Sequence, residues 1–195
     1  MLQKYFTLDL AVRLLDKSQC SLENEKYMLA KLKEEHGLSF TSNMERMFKD
    51  ITLSQDIALE FDSFRKPVIA TKNDLKLQIS PIVVSNGCWP TSVILRGFEV
   101  ENSSMDFSAM ALECLLPPCV ESLWNTFKSY YLGQYQGRKL TFISHLGSSE
   151  MMFFANKTFM LQTTTNMMSI LMLFNRYEKL SYNGNFRFWS TNNCF

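Results

Sequence analysis

Between Thr41 and Phe64 the chain reads TSNMERMFKDITLSQDIALEFDSF, and this stretch constrains the fold more than any other. Met44, Met47, Phe48 and Ile51 recur at i, i+3, i+4 and i+7, which places them on one side of a helix. Ile57, Phe61 and Phe64 repeat the spacing after Leu53 and Ser54, while Glu45, Arg46, Lys49, Asp50, Gln55, Asp56 and Glu60 fall on the other faces. Thr41 or Ser42 is a suitable N-cap for the first run and Thr52 or Ser54 for the second. The pattern therefore predicts two short amphipathic helices with aromatic cores. A striped helix of this kind carries packing, and nothing in it is catalytic.

The flanking segments follow the same logic. Residues 2–16 read as a helix with Phe6, Leu10, Leu14, Val12 and Leu15 inward. Ser21 is a good N-cap for a helix running to His36, with Glu23 and Glu25 in its first turn, Met28, Leu29 and Leu32 buried, and Gly37 as its stop. Pro67 closes the helical part. From Leu75 the period changes to two: Leu75, Leu77 and Ile79 alternate with Lys76, Gln78 and Ser80, the pattern of a half-buried strand. Pro81 interrupts it, Asn86-Gly87 makes a turn, and Trp89-Pro90 leaves it as a packed corner. Val120–Leu132 is a helix carrying Leu123, Trp124, Phe127 and Tyr131 at 3–4 spacing, followed by a strand from Leu140 to Ser144. Strands near 150–155 and 158–162 form a hairpin around Asn156-Lys157, and Thr164 or Thr165 caps a last helix to about Asn175.

Composition excludes several classes of function. Hydrophobic content of 46% with 16 Phe and 12 Met fills a real core, so the chain is no disordered tail. A formal net charge of +1 gives no bulk attraction to nucleic acid or to an anionic membrane. The 5 cysteines include no C-x-x-C pair, and the two histidines, His36 and His145, are far apart in sequence. Cys114 and Cys119, with two prolines between them, do not have a zinc-site spacing, so no metal is expected and the thiols suit a reducing compartment, cytosol or nucleus. Met167–Phe174, the most apolar run, is too short to span a bilayer. There is no G-x-S-x-G, H-E-x-x-H, Walker loop or G-x-G-x-x-G, and no catalytic residue or cofactor is assigned.

Three blocks of words carry a resemblance. The first is Lys31-Leu32-Lys33, Gly37, Phe40-Thr41-Ser42 and Met47-Phe48-Lys49-Asp50, with Leu53-Ser54 and Asp56-Ile57 behind. The second is Trp89-Pro90-Thr91, then Leu116-Pro117-Pro118, Phe127, Tyr130-Tyr131-Leu132-Gly133 and Gly137-Arg138-Lys139-Leu140, with Gln136 where Ser is usual. The third is Leu161-Gln162, Thr164 and Ile170-Leu171-Met172-Leu173-Phe174-Asn175. In this order they resemble the homology region of the cullins, the elongated scaffolds of multisubunit ubiquitin ligases, from about Tyr5 to about Tyr182.

The resemblance implies an α+β fold: a helical bundle joined to a small β-sheet α/β unit, followed by the start of a winged helix. It implies a partial bundle over 1–66, a sheet unit over 67–163 with an insertion at about 92–115, the winged-helix start over 164–182, and a divergent, disordered tail over 183–195. The N-terminal repeats and the C-terminal modified winged helix of the family have no counterpart in this reading, so substrate adaptors are not expected. The expected partner is a RING-box protein, which recruits a ubiquitin-conjugating enzyme; nucleic acid and membrane are not. Leu75, Leu77, Ile79, Trp89, Arg138 and Leu140 are the residues implied to build its seat. Open alternatives are a partial gene product without function, a competitor for the RING subunit, and a winged-helix nucleic-acid-binding module. Which cullin the chain derives from stays open.

Overall fold

The computed structural model describes residues 2–16, 21–69, 77–94 and 116–179. The expected tail at 183–195, most of the insertion at about 92–115 and Leu75 lie outside these residues. The chain divides into two units, Met1–Val100 and Glu101–Phe195. Helices followed by an antiparallel hairpin and a further helix make it an α+β chain.

The first unit is built on one helix. α1 spans Leu2–Leu15, α2 Leu22–His36 and α3 Leu38–Ile69, with a one-turn α4 at Thr91–Ile94. α1 and α2 both pack on α3, and α4 packs on α1. The 32-residue α3 replaces the two short helices read from the sequence. Among its described side chains the buried ones are Thr41, Met44, Met47, Phe48, Ile51, Ser54, Ile57 and Phe61, a stripe without a break at steps of one, three or four. Thr41 is therefore no cap: it lies fully buried, and its hydroxyl donates back to the Gly37 carbonyl at 3.4 Å. Thr52 and Ser54 likewise donate inside the helix, to the Phe48 carbonyl at 3.0 Å and the Asp50 carbonyl at 2.7 Å. Such back-bonding satisfies a hydroxyl within a helix, which is why these residues need not end one.

Nor does Pro67 end α3, which continues to Ile69; proline there removes one N–H bond close to a terminus. Gly37 does end α2, with φ +80 and its N–H on the Lys33 carbonyl at 2.9 Å, a backbone that glycine adopts without a Cβ clash. It is the only residue between α2 and α3, so the two helices turn on it. Ser21 occupies the N-cap position of α2 but its side chain makes no capping bond. Leu10, Ala11, Leu14, Leu29, Val93 and Ile94 add to this core, whereas Met28 is 47% exposed and Val12 and Phe64 are also exposed. Arg13 grips Glu25 through Nε and Nη2 at 2.6 and 3.1 Å, tying α1 to α2, and Lys33 pairs with Glu45 at 2.9 Å.

The second unit begins with α5, Pro118–Gln134, with proline at its first position. A 3-10 turn at Ser144–Leu146 leads to β1, Ser148–Phe154, and β2, Thr158–Thr164, which pair antiparallel with Met151 opposite Leu161 and Phe153 opposite Phe159. α6, Thr165–Leu173, follows directly, its N-cap Thr164 accepting from the Met167 N–H. Of the strand expected from Leu140 to Ser144, residues 140–143 run without strand pairing among the described residues and Ser144 opens the 3-10 turn.

Candidate functional site

Two polar residues one turn apart on α3 organise the most unusual part of the first unit. Asp50 and Ser54 are at i and i+4, so both side chains emerge on the same face. A single oxygen of Asp50, Oδ2, accepts from the Ser85 N–H at 2.8 Å, the Ser85 hydroxyl at 2.7 Å and the Trp89 indole Nε1 at 2.8 Å. Ser54 Oγ accepts from the Val83 N–H at 2.8 Å, and its one proton is shared between the Asp50 carbonyl at 2.7 Å and the Val83 carbonyl at 3.1 Å. Trp89 and Cys88 are buried beside this latch, and the Ser85 hydroxyl also lies 3.5 Å from the Cys88 sulfur. Five polar contacts thus fasten the segment Val83–Trp89 along the helix.

The chain entering the latch carries two of the residues singled out from sequence, Leu77 and Ile79. Leu77 and Ile79 are half-buried while Gln78 and Ser80 are exposed, so the period-two pattern is expressed in the packing. The strand itself is not: 77–85 has no ladder partner among the described residues. In extended chain, alternate N–H groups point to opposite edges. Those of Val83 and Ser85, two residues apart, both bond to α3, as every second group of extended chain does. Carried back along the segment, that alternation would turn the N–H groups of Gln78, Ser80, Ile82 and Val84 to the other edge. Pro81, which lacks the group, would then fall on the edge already served by α3.

Arg138 and Leu140 belong to the second unit. Arg138 Nη1 donates to the Tyr131 hydroxyl at 2.9 Å and its guanidinium lies 4.5 Å from the Tyr135 ring centroid, a cation–π contact. The Tyr131 and Tyr135 rings are themselves 4.7 Å apart, so the last turn of α5 and its C-cap residue form an aromatic bracket that holds Arg138. Leu140 is half-buried, and Phe142 packs on Trp124 at 5.0 Å. No group of three acidic, His or Cys side chains suited to a metal occurs among the described residues. No described helix is long and apolar enough to cross a membrane.

Asp50 and Ser54 are the site residues that sequence reasoning passed over. Asp50 read as one more carboxylate on a solvated face, and Ser54 as a cap. The available signal was positional: Ser54 falls in line with Ile51 and Ile57 on the apolar stripe, and a serine there needs a buried partner.

Comparison with known proteins gives this geometry a family. The profile of the cullin alpha+beta domain matches residues 83–184, more than half of the chain, and that of the cullin alpha solenoid domain matches residues 1–58. The chain belongs to the cullin family. It is 34% identical over 181 residues to Cullin-3 of Dictyostelium discoideum, covering 92% of this chain and 21% of that protein. It is 33% identical over 182 residues to Cullin-3B of Arabidopsis thaliana, covering 92% and 22% respectively. Identity to Cullin-2 of Caenorhabditis elegans is 28% over 181 residues, 91% of this chain and 22% of that protein. The chain thus spans about a fifth of the length of the relatives it matches.

Proposed function

We propose that this chain acts as a non-catalytic scaffold segment of a cullin-RING ubiquitin ligase, in the cytosol or nucleus, and that it seats a RING-box protein on the segment from Leu77 to Val84. The observation that supports this is a segment fastened to α3 through Val83 and Ser85 and without a ladder partner among the described residues. An exposed extended edge is a template for strand addition, in which main-chain bonds hold the guest and side-chain pockets at alternate positions select it. Leu77 and Ile79 supply the apolar positions, and Trp89, held by Asp50, braces the corner behind them. Nothing in the arrangement activates a nucleophile; the work assigned to it is positioning.

The test is capture of a purified RING-box protein by the purified, folded chain. Gln78 is exposed, and the proposal assigns its N–H to the outward edge, so Gln78→Pro removes a ladder donor without emptying the core and should lower affinity at least tenfold. Gln78→Ala, which keeps the donor, should bind like the parent, as should the remote surface change Lys31→Ala. A folded chain that captures no RING-box protein refutes the reading. Equal binding by Gln78→Pro and Gln78→Ala refutes the edge as its seat.

A further inference from the structure

We propose that Asn86-Gly87 is a self-modifying site, at which Asn86 deamidates through a succinimide and releases the latch on Asp50. Asn86 and Gly87 are exposed in the turn between Ser85 and Trp89. Gly87 has φ +88 and open space where a side chain would stand, so no Cβ shields its nitrogen from the preceding side chain. Neither the Asn86 carboxamide nor the Gly87 N–H is held by a hydrogen bond among the described residues. In the reaction the Gly87 amide nitrogen attacks Cγ of Asn86, the side-chain nitrogen leaves as ammonia carrying the displaced proton, and a five-membered imide forms. Water then opens the imide at either carbonyl. One product is Asp at position 86; the other is isoaspartate, whose main chain runs through Cβ and Cγ and is one atom longer.

The position of the turn makes the second product consequential. Ser85 on one side and Trp89 on the other donate to the same Asp50 oxygen, so the loop between them has a set length. An added backbone atom inside that loop pulls at least one donor away, and either product adds a negative charge to the turn. The asparagines inside helices, Asn24, Asn43 and Asn125, are built-in controls, because their following N–H groups lie within regular helix.

The experiment is to hold the purified full chain at mildly alkaline pH and 37 °C and to map its peptides by mass over time. The expected result is conversion of Asn86 from amide to acid, with part of the product methylated by an isoaspartate methyltransferase, while Asn24, Asn43 and Asn125 keep their amides. The second Asn-Gly pair, at 183–184, lies outside the described residues and is resolved on its own peptide. Amide exchange at Ser85 should rise at least tenfold in the isoaspartate form and stay at the parent rate in aged Asn86→Gln. The proposal is overturned if Asn86 remains an amide while a short peptide of the same sequence converts. It is overturned equally if Asn86 converts to isoaspartate and Ser85 keeps its protection.

Discussion

Replacing Asp50 by alanine removes one carboxylate oxygen on which three donors converge. Hydrogen bonds to a charged acceptor are each worth about 1.5–3 kcal/mol in favourable cases, but the three are not additive here. Ser85 is exposed, so water replaces the acceptor for its N–H and hydroxyl and most of their contribution is recovered. Trp89 is only 6% exposed, and its indole N–H would be left without its acceptor in a mostly dry setting. That orphaned donor costs about 1–3 kcal/mol by itself. The sum expected for Asp50→Ala is about 2–4 kcal/mol, a large share of a stability of about 5–15 kcal/mol. Urea unfolding followed by circular dichroism measures it as a fall in midpoint at constant slope. Asp50→Asn retains a neutral acceptor oxygen and should lose about half as much, since charge assistance roughly doubles such bonds. A double-mutant cycle with Ser85→Ala should return a coupling of about 0.5–1.5 kcal/mol. Midpoints of Asp50→Ala and parent that coincide would refute the claim that this carboxylate fastens the segment.

The remaining expectations concern packing. Phe61 is fully buried and Phe64 half-exposed on the same helix, so Phe61→Ala should cost about 3–5 kcal/mol and Phe64→Ala under about 1 kcal/mol in the same unfolding assay. A Cβ added at Gly147 would run into the Thr165 hydroxyl, and the Gly147 carbonyl already accepts from the Thr165 N–H at 2.9 Å. Gly147→Ala should therefore destabilise the second unit by about 1–3 kcal/mol, seen as a lower thermal midpoint. Thr164→Ala removes the side-chain cap of α6 and should cost about 0.5–1 kcal/mol, near the low end because the 3.3 Å bond is exposed.

The elements that sequence made legible are those whose signal is local. The stripe on α3, the stop at Gly37, the hairpin around Asn156-Lys157 and the cap at Thr164 each follow from spacing or from one residue's backbone preference. What sequence misjudged depends on partners far along the chain. Ser54 resembles a cap until Val83, 29 residues on, supplies its bond, and only then does it belong inside one long helix. Period-two alternation at Leu77–Ser80 was correct about which side chains are half-buried, but it cannot say whether an edge finds a ladder partner. The family was legible because its words are contiguous. The latch was not, because Asp50 lies 35 residues from Ser85 and 39 from Trp89.

The central claim is that the edge opposite α3 receives a strand, and amide hydrogen exchange tests it residue by residue. With saturating RING-box protein, the outward N–H groups of Gln78, Ser80, Ile82 and Val84 should slow markedly, while Val83 and Ser85, already bonded to Ser54 and Asp50, should change little. An alternating gain confined to the even positions is the result the account predicts. A bound complex in which those four amides exchange as fast as in the chain alone would contradict it.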